Sequence, residues 1–144
     1  MLISLKTEYA IKALIYLAQN QGHISRLPAI AKAQGIPAKF LERILNDLRK
    51  AKLVSSERGK NGGYFLGESE DKITLLDVVE VLEGKLSISS QNRRPLSGRK
   101  TADRIIARVY QQIQGRLEHD LRQITLGQLV GEAGRIENNF SYMI

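Results

Sequence analysis

Apolar residues in one central stretch of the chain recur at the spacing of an amphipathic helix. The stretch covers 37–50 and follows the i, i+3, i+4, i+7 pattern of a face that packs into a core. Pro37 suits the first helical turn, where its missing N–H is not needed. The apolar face consists of Leu41, Ile44, Leu45 and Leu48, and the opposite, polar face of Lys39, Arg43, Asn46 and Lys50. The pattern predicts a helix with a basic face turned away from the core.

A shorter helix is predicted just before this one. Ser25 is a suitable N-cap for a helix over 26–33, and Gln-Gly-Ile at 34–36 makes a tight turn. A helix, a glycine-containing turn and a second helix form a helix-turn-helix motif.

A β-hairpin is predicted directly after the motif. Residues 53–56 and 64–66 have the composition of short strands, and Asn61-Gly62 is a strong signal for a tight turn with positive φ. Arg58 and Lys60 then lie at the tip of the hairpin. This order of elements is typical of a winged helix-turn-helix, whose second helix enters the major groove of DNA while the wing contacts the backbone or the minor groove.

Two further helices are predicted around this motif. Residues 3–19 carry apolar side chains on two sides, which indicates packing beyond their own domain. One side consists of Ile3, Tyr9, Ala10, Ala13, Leu14 and Leu17, and the second of Ile11 and Ile15. Thr74 and Asp77 have the spacing of a capping box at the start of a helix over 75–83, which Gly84 can end.

The last third of the chain contains a long helix over 101–121. Its broad apolar stripe predicts a dimer interface, because a single small domain offers little surface to cover it; the alternative is packing within its own chain. Gly115 is a weak point of this helix, and Thr125 can cap a short helix over 126–130. The stripe consists of Ile105, Ile106, Val109, Tyr110, Ile113, Leu117 and Leu121.

These elements predict a mainly α fold with a small β-hairpin wing. Residues 1–83 form the winged helix-turn-helix domain, and 101–131 form a dimerisation helix with a short packing helix. The basic segment 84–100 between them is a loop, either functional or disordered, and 132–144 are a C-terminal tail.

The charge distribution favours a polyanionic partner. The net charge is +7, and residues 1–60 hold all of it, with 11 Lys/Arg against 4 Asp/Glu, whereas 61–144 hold 11 against 11. Double-stranded DNA gains affinity from such a patch through counterion release. The alternative is a basic surface that only keeps the protein soluble.

Composition and motifs exclude several other functions. The chain has no cysteine, which excludes disulfides and thiolate-bound metals or clusters. No signal peptide or membrane-spanning run is present, so we expect a cytoplasmic protein that does not contact the membrane. His119 and Asp120 are adjacent on a helix and point about 100° apart, and no nucleophile elbow or phosphate loop accompanies them, so we do not expect an enzyme.

Several short motifs together resemble the Rrf2 family of bacterial winged-helix transcriptional regulators, which includes an iron–sulfur cluster regulator, a nitric-oxide-sensing repressor and a cysteine-metabolism repressor. The resemblance covers nearly the whole chain. It rests on Thr7-Glu-Tyr-Ala10, Ile30-Ala31, Gly35-Ile36-Pro37, Phe40-Leu41-Glu42, Leu48-Arg-Lys-Ala51, Leu53-Val54-Ser55-Ser56, Arg58-Gly59, Gly62-Gly63-Tyr64, Ile73-Thr74, Asp77-Val78 and Ile124-Thr-Leu-Gly-Gln-Leu129.

The resemblance implies a homodimeric repressor on a pseudo-palindromic operator, with the long helices of the two copies crossing. By position, Glu42 and Arg43 match base-reading residues and Arg58 matches a wing arginine of the minor groove. Arg43 suits a guanine and Glu42 a cytosine; alternatively, Glu42 forms an ion pair on the helix surface. Residues that match positions near the phosphates are Tyr9, Lys39 and Phe40, of which Tyr9 has core packing as its alternative. Lys60, a cation at the tip of the wing, is also a candidate for contact with DNA.

Departures from the family pattern concern the cofactor and the signal. Cluster-binding relatives place three cysteines in the region matching 84–100, so we expect no iron–sulfur cluster, no metal site and no other cofactor here. Glu8 matches an acidic cluster ligand of some relatives, yet with His23 and His119 it forms no recognisable metal motif.

Pro37 replaces a hydroxyl residue that could contact phosphate. The signal stays open among a small-molecule effector, a partner metabolic enzyme and constitutive binding.

Overall fold

The structure is a computed structural model that describes residues 3–88 and 100–143. Within these ranges the chain is mainly helical with one antiparallel hairpin, which confirms the predicted fold class. Residues 89–99 of the predicted loop lie outside the described ranges. The elements are α1 (Leu5–Gln19), α2 (Leu27–Gln34), α3 (Ala38–Lys50), β1 (Val54–Glu57), β2 (Gly63–Leu66), α4 (Leu75–Glu83), α5 (Thr101–Gln123) and α6 (Leu126–Met143).

Helix α1 is the centre of the core. It packs against α2, α3, α4 and α6, and small side chains at Ala10 and Ala13 allow these close contacts. Its second apolar side, Ile11 and Ile15, is partly buried against the same core. The predicted start at residue 3 is wrong: Ser4 is the N-cap and Ile3 is 44% exposed.

Helices α2 and α3 form the predicted helix-turn-helix. The apolar stripe of α3 is buried as expected, and Gly35 ends α2 in the left-handed conformation at φ 65°. The predicted N-cap of α2 is wrong, because Arg26 occupies that position and Ser25 pairs instead with Tyr64 of β2. That pairing holds Ser25 in an extended strand conformation, so the helix starts later.

The hairpin forms with a longer loop than the sequence predicted. Strand pairing ends at Glu57 opposite Gly63, so five residues, 58–62, connect the strands. The positive φ lies at Gly59, at 111°, and not at Asn61 or Gly62, which makes the predicted two-residue turn wrong. Gly62 has a different role, since a Cβ there would lie 2.2 Å from the carbonyl oxygen of Glu57.

Helix α4 has the predicted bounds and the predicted capping box. The Thr74 side chain accepts from the amide of Asp77, the Asp77 carboxylate accepts from the amide of Thr74, and Gly84 ends the helix at φ 84°. An antiparallel bridge between Thr74 and Thr125 connects the start of α4 to the start of α6. The winged domain is therefore attached to the C-terminal helices by backbone pairing.

Helices α5 and α6 are longer than predicted. Leu121 of α5 is buried against Leu76, Val79 and Leu86. Thr125 caps α6 as expected, since its hydroxyl accepts from the amide of Gln128 at 3.2 Å. The predicted end at Val130 is wrong, because α6 continues to Met143.

Candidate nucleic-acid interface

An open groove of about 1230 Å³ lies between the exposed face of α3 and the hairpin. It is lined by residues from the start of α2, from α3 and from both strands and the loop of the hairpin. The lining consists of Arg26, Leu27, Pro28, Lys39, Phe40, Glu42, Arg43, Asn46, Arg49, Ser56, Glu57, Arg58, Gly59, Lys60, Gly62, Gly63 and Tyr64.

The lining of the groove is strongly basic. Six Lys or Arg residues and two Glu residues contribute, which gives a formal excess of +4 from 6 − 2. Their side chains are exposed, so the positive field extends into solvent. A surface of this charge attracts a polyanion and releases its counterions on contact.

Helix α3 presents its first two turns to this groove. Lys39, Phe40, Glu42 and Arg43 all lie on the exposed side, and Phe40 is 57% exposed. Within residues 3–88, Glu42 makes no ion pair with Lys39 or Arg43, so its carboxylate is available to an external donor. Arg49, two turns further along, donates to the Asn46 side chain at 2.7 Å.

The hairpin loop supplies the opposite wall. Arg58 and Lys60 flank Gly59, whose positive φ turns the chain back, and both cations are exposed. The loop is closed by a hydrogen bond of 3.0 Å from the Gly62 amide to the Gly59 carbonyl. An exposed loop with two cations can contact the phosphates or the minor groove of a duplex.

The base of the hairpin is fixed to the helix-turn-helix through Ser25. Its amide donates to the Tyr64 carbonyl at 2.9 Å and its carbonyl accepts from the Tyr64 amide at 2.7 Å. Gly63 permits this approach, because a Cβ at that position would lie 2.4 Å from the Ser25 carbonyl oxygen. The base of the hairpin is therefore hydrogen-bonded to the start of the helix-turn-helix.

Most of the predicted contact residues converge on this groove. Tyr9 does not line it: the residue is half-buried on α1, packs partly against the core, and has the Lys12 ammonium 5.9 Å from its ring centre. The residues that the structure brings together are Lys39, Phe40, Glu42, Arg43, Arg58 and Lys60.

Several lining residues were not predicted from the sequence as contact residues, among them Arg26, Arg49 and Tyr64. Arg49 was overlooked in favour of its neighbour Lys50, although its spacing of i+3 from Asn46 was a usable signal. Arg26 and Tyr64 come together with α3 through tertiary contacts, and no local pattern marks them.

A separate apolar surface runs along α5. Leu117 does not belong to its exposed part, since it packs against the buried cluster around Leu121. The other predicted dimerisation residues are solvent-accessible in the single chain: Ile105 at 57%, Ile106 at 39%, Val109 at 43% and Ile113 at 47%.

The donor set of the chain does not fit a cysteine-bound iron–sulfur cluster, because the sequence has no thiol. Among residues 3–88 and 100–143, no group of three or more His, Asp or Glu side chains is placed to hold a metal ion. In the same part of the chain, no helix has the length and apolar character needed to cross a bilayer.

Comparison with known proteins gives one consistent family. The Rrf2 model, described as an iron-dependent transcriptional regulator, matches residues 3–132. The HTH-type transcriptional regulator IscR of Sodalis glossinidius is 32% identical over 132 residues, covering 90% of this chain and 79% of that protein.

Solved structures agree with this match. T. potens IscR has a TM-score of 0.72 at 31% identity, over 92% of this chain and 88% of that one. The structure of CymR, the global cysteine regulator of B. subtilis, also has a TM-score of 0.72 at 31% identity, over 92% and 98%. The similarity therefore extends beyond the winged domain to α5 and α6.

Proposed function

Because this chain belongs to the Rrf2 family of DNA-binding transcriptional regulators, we propose that it represses transcription as a homodimer on a pseudo-palindromic operator, without an iron–sulfur cluster. Its family and relatives are transcriptional regulators and not enzymes, as expected from the sequence. The observation that carries the proposal is the basic groove between α3 and the hairpin.

In the proposed complex, α3 lies in the major groove and reads base edges with its first two turns. A helix of about 10–12 Å diameter fits the major groove, which is about 12 Å wide. Arg43 can donate two hydrogen bonds to a guanine, and the unpaired carboxylate of Glu42 can accept from a cytosine amino group. Phe40, which is 57% exposed, offers an apolar contact near a thymine methyl or a sugar.

The hairpin loop is proposed to contact the flanking duplex. Arg58 enters the minor groove, and Lys60 and Lys39 neutralise phosphates on either side of the groove. Tyr9 is proposed to approach the backbone from α1, with its half-buried ring supported by the core. Such contacts fix the register of α3 and make the affinity depend on salt.

The dimer is proposed to form along α5. Ile105, Ile106, Val109 and Ile113 lie on one side of this helix and expose apolar area to water. Removing this area from water by pairing with the same helix of a second copy stabilises a two-fold dimer. Two winged domains related by that two-fold axis would match an operator with dyad symmetry.

The regulatory signal is proposed to be something other than a cluster, since the chain has no thiolate ligand. A small-molecule effector and a docked metabolic enzyme are two candidates, and constitutive DNA binding without a signal is the third alternative. Ligand-induced thermal shift of the purified protein supports the effector, and an enzyme retained on the tagged regulator supports docking. Both signals act on a cytoplasmic protein that binds the promoter and blocks transcription.

Selection from a random duplex pool tests this proposal. The purified protein selects duplexes at about 0.15 M salt, where non-specific phosphate attraction is weakened, and the bound fraction is sequenced. We expect enrichment of one dyad-symmetric site. Enrichment of an asymmetric site, or of none, would contradict a dimeric regulator that binds without a cofactor.

A further inference from the structure

Arg26 is the N-cap residue of α2, yet its side chain extends to the hairpin loop. The guanidinium nitrogen Nη2 donates to the carbonyl oxygen of Lys60 and lies 3.5 Å from the side-chain oxygen of Asn61. The contact spans 34 residues of sequence. It therefore joins the first helix of the helix-turn-helix directly to the tip of the wing.

The wing loop has few other restraints on its position. Strand pairing stops at Glu57 and Gly63, and residues 58–61 are exposed. The bond from the Gly62 amide to the Gly59 carbonyl closes the loop on itself and does not fix it to α2 or α3. Among the hydrogen bonds of residues 3–88, the contacts of Arg26 are the ones that join this loop to the helix-turn-helix.

Resting on the DNA-binding function proposed above, we propose that Arg26 is a positioning residue that fixes the wing tip, and with it Arg58, relative to α3. Ser25 anchors the base of the wing by pairing with Tyr64, and the next residue anchors its tip. The distance between the bases contacted by α3 and the minor groove contacted by the wing is then set by two consecutive residues. Arg26 thereby determines how far apart the contacted bases and the contacted minor groove must lie within one half-site of the operator.

The guanidinium also suits this position chemically. It carries five N–H donors in a planar fork, so one nitrogen can hold the loop carbonyl while the others stay directed to the groove. A direct phosphate contact by Arg26, with no effect on the wing, is the competing explanation.

The first measurement is amide hydrogen exchange in the free protein. Arg26→Met keeps the unbranched stem but removes the donors, whereas Arg26→Lys keeps a donor and the charge. We expect exchange of the Gly62 amide, which is bonded to the Gly59 carbonyl, to rise about threefold to tenfold in Arg26→Met, with partial recovery in Arg26→Lys, because the loop opens more often without the Arg26 contact. Lys32→Ala, which removes an exposed cation of α2 away from the groove, is the matched control and should leave this exchange unchanged.

The second measurement is a double-mutant cycle on the selected operator. We expect Arg26→Met to weaken binding about threefold to tenfold in the native background and less than twofold in an Arg58→Ala background, because Arg26 acts through Arg58. Equal losses in both backgrounds together with unchanged exchange would establish a direct phosphate contact and overturn the proposal. Failure of the native protein to select any operator would refute the proposed function. The exchange measurement would then test by itself whether Arg26 fixes the tip of the wing.

Discussion

The hydroxyl of Thr7 donates a hydrogen bond of 2.6 Å to a carboxylate oxygen of Glu83, which is 76 residues away in sequence. The same oxygen accepts from the amide of Ser4 at 3.0 Å and from the Ser4 hydroxyl. Thr7 is fully buried, so its hydroxyl needs this partner. The carboxylate also lies at the N-terminus of α1, where a negative charge is favourable. The first turn of α1 and the last turn of α4 are thus held together by one acidic group.

This contact predicts a pH-dependent contribution to stability. The hydroxyl of Ser4, followed by that of Thr7, lowers the pKa of Glu83 below its ordinary value of 4.5. A carboxyl whose pKa is depressed on folding stabilises the protein above the pKa of the unfolded chain and loses this effect as the pH falls through the folded pKa. Glu83→Gln should therefore destabilise the protein at neutral pH, and the difference from the native protein should shrink below about pH 4.5.

Thermal unfolding between pH 7 and pH 3 measures this difference. Glu80→Gln is the control, since Glu80 is an exposed acidic residue one turn earlier on α4. It should show no comparable change with pH. A difference for Glu83→Gln that stays constant over the whole range would show that the ionised carboxylate is not what Thr7 and Ser4 stabilise.

Gly63→Ala should disturb the junction of the wing. The new Cβ would lie 2.4 Å from the carbonyl oxygen of Ser25. This oxygen belongs to the backbone, so it can move away only if the main chain shifts, which costs free energy. We expect a loss of about 1–3 kcal/mol in the free energy of unfolding, as for other overpacked sites, measured by denaturant titration. Gly131→Ala, in a part of α6 with nothing within 4 Å, should be neutral or stabilising. Equal stability of the two variants would show that Gly63 does not lie this close to the Ser25 carbonyl.

Arg58→Ala should weaken operator binding by about 1–3 kcal/mol, since its contact is on an exposed wing. The loss should be measured by fluorescence anisotropy, with the dimer checked by sedimentation. Lys85→Ala removes another exposed cation, which does not line the groove, and this variant should bind as the native protein does. If Arg58→Ala bound the operator with native affinity, this contact of the wing would not contribute to DNA binding.

Ile113→Asp should dissociate the proposed dimer, because a carboxylate would be buried in an apolar interface. Ile113 is 47% exposed in the single chain, so the substitution should not disturb folding of the monomer. Gln111→Asp introduces the same charge about 200° around the helix and should leave the dimer intact. Sedimentation velocity at micromolar concentration shows whether each variant is a monomer or a dimer. A dimer that survives Ile113→Asp would place the interface elsewhere.

The helices were largely predictable because their burial follows the local period of the sequence. The stripe of α3 and the capping box of Thr74 and Asp77 each lie within a few residues, and the structure has both as predicted. The end of α6 was not predicted: the helix continues past Val130 through Gly131 and Gly134, which have no positive φ. Helix propensity is a weak prior that tertiary packing overrides.

The details of the wing could not be predicted, because they depend on a distant residue. Pairing of Ser25 with Tyr64 displaces the expected cap of α2 and also requires glycine at position 63. The loop then spans 58–62, so the favourable Asn61-Gly62 dipeptide is not used as a two-residue turn. The positions of Arg43 and Glu42 in the groove followed from helical spacing, whereas the place of Arg26 in it followed from no local pattern.

Operator selection by the native protein and by Arg43→Ala, compared under the same conditions, shows whether α3 reads bases through its first two turns. Lys50→Ala, which removes an exposed cation at the far end of α3 outside the groove lining, is the control and should select the native site. We predict that Arg43→Ala loses preference for a guanine at one position in each half-site, symmetrically about the dyad, while the remaining positions stay enriched. An Arg43→Ala protein that selects the native site with every base preference unchanged would contradict the assignment of α3 as the recognition helix.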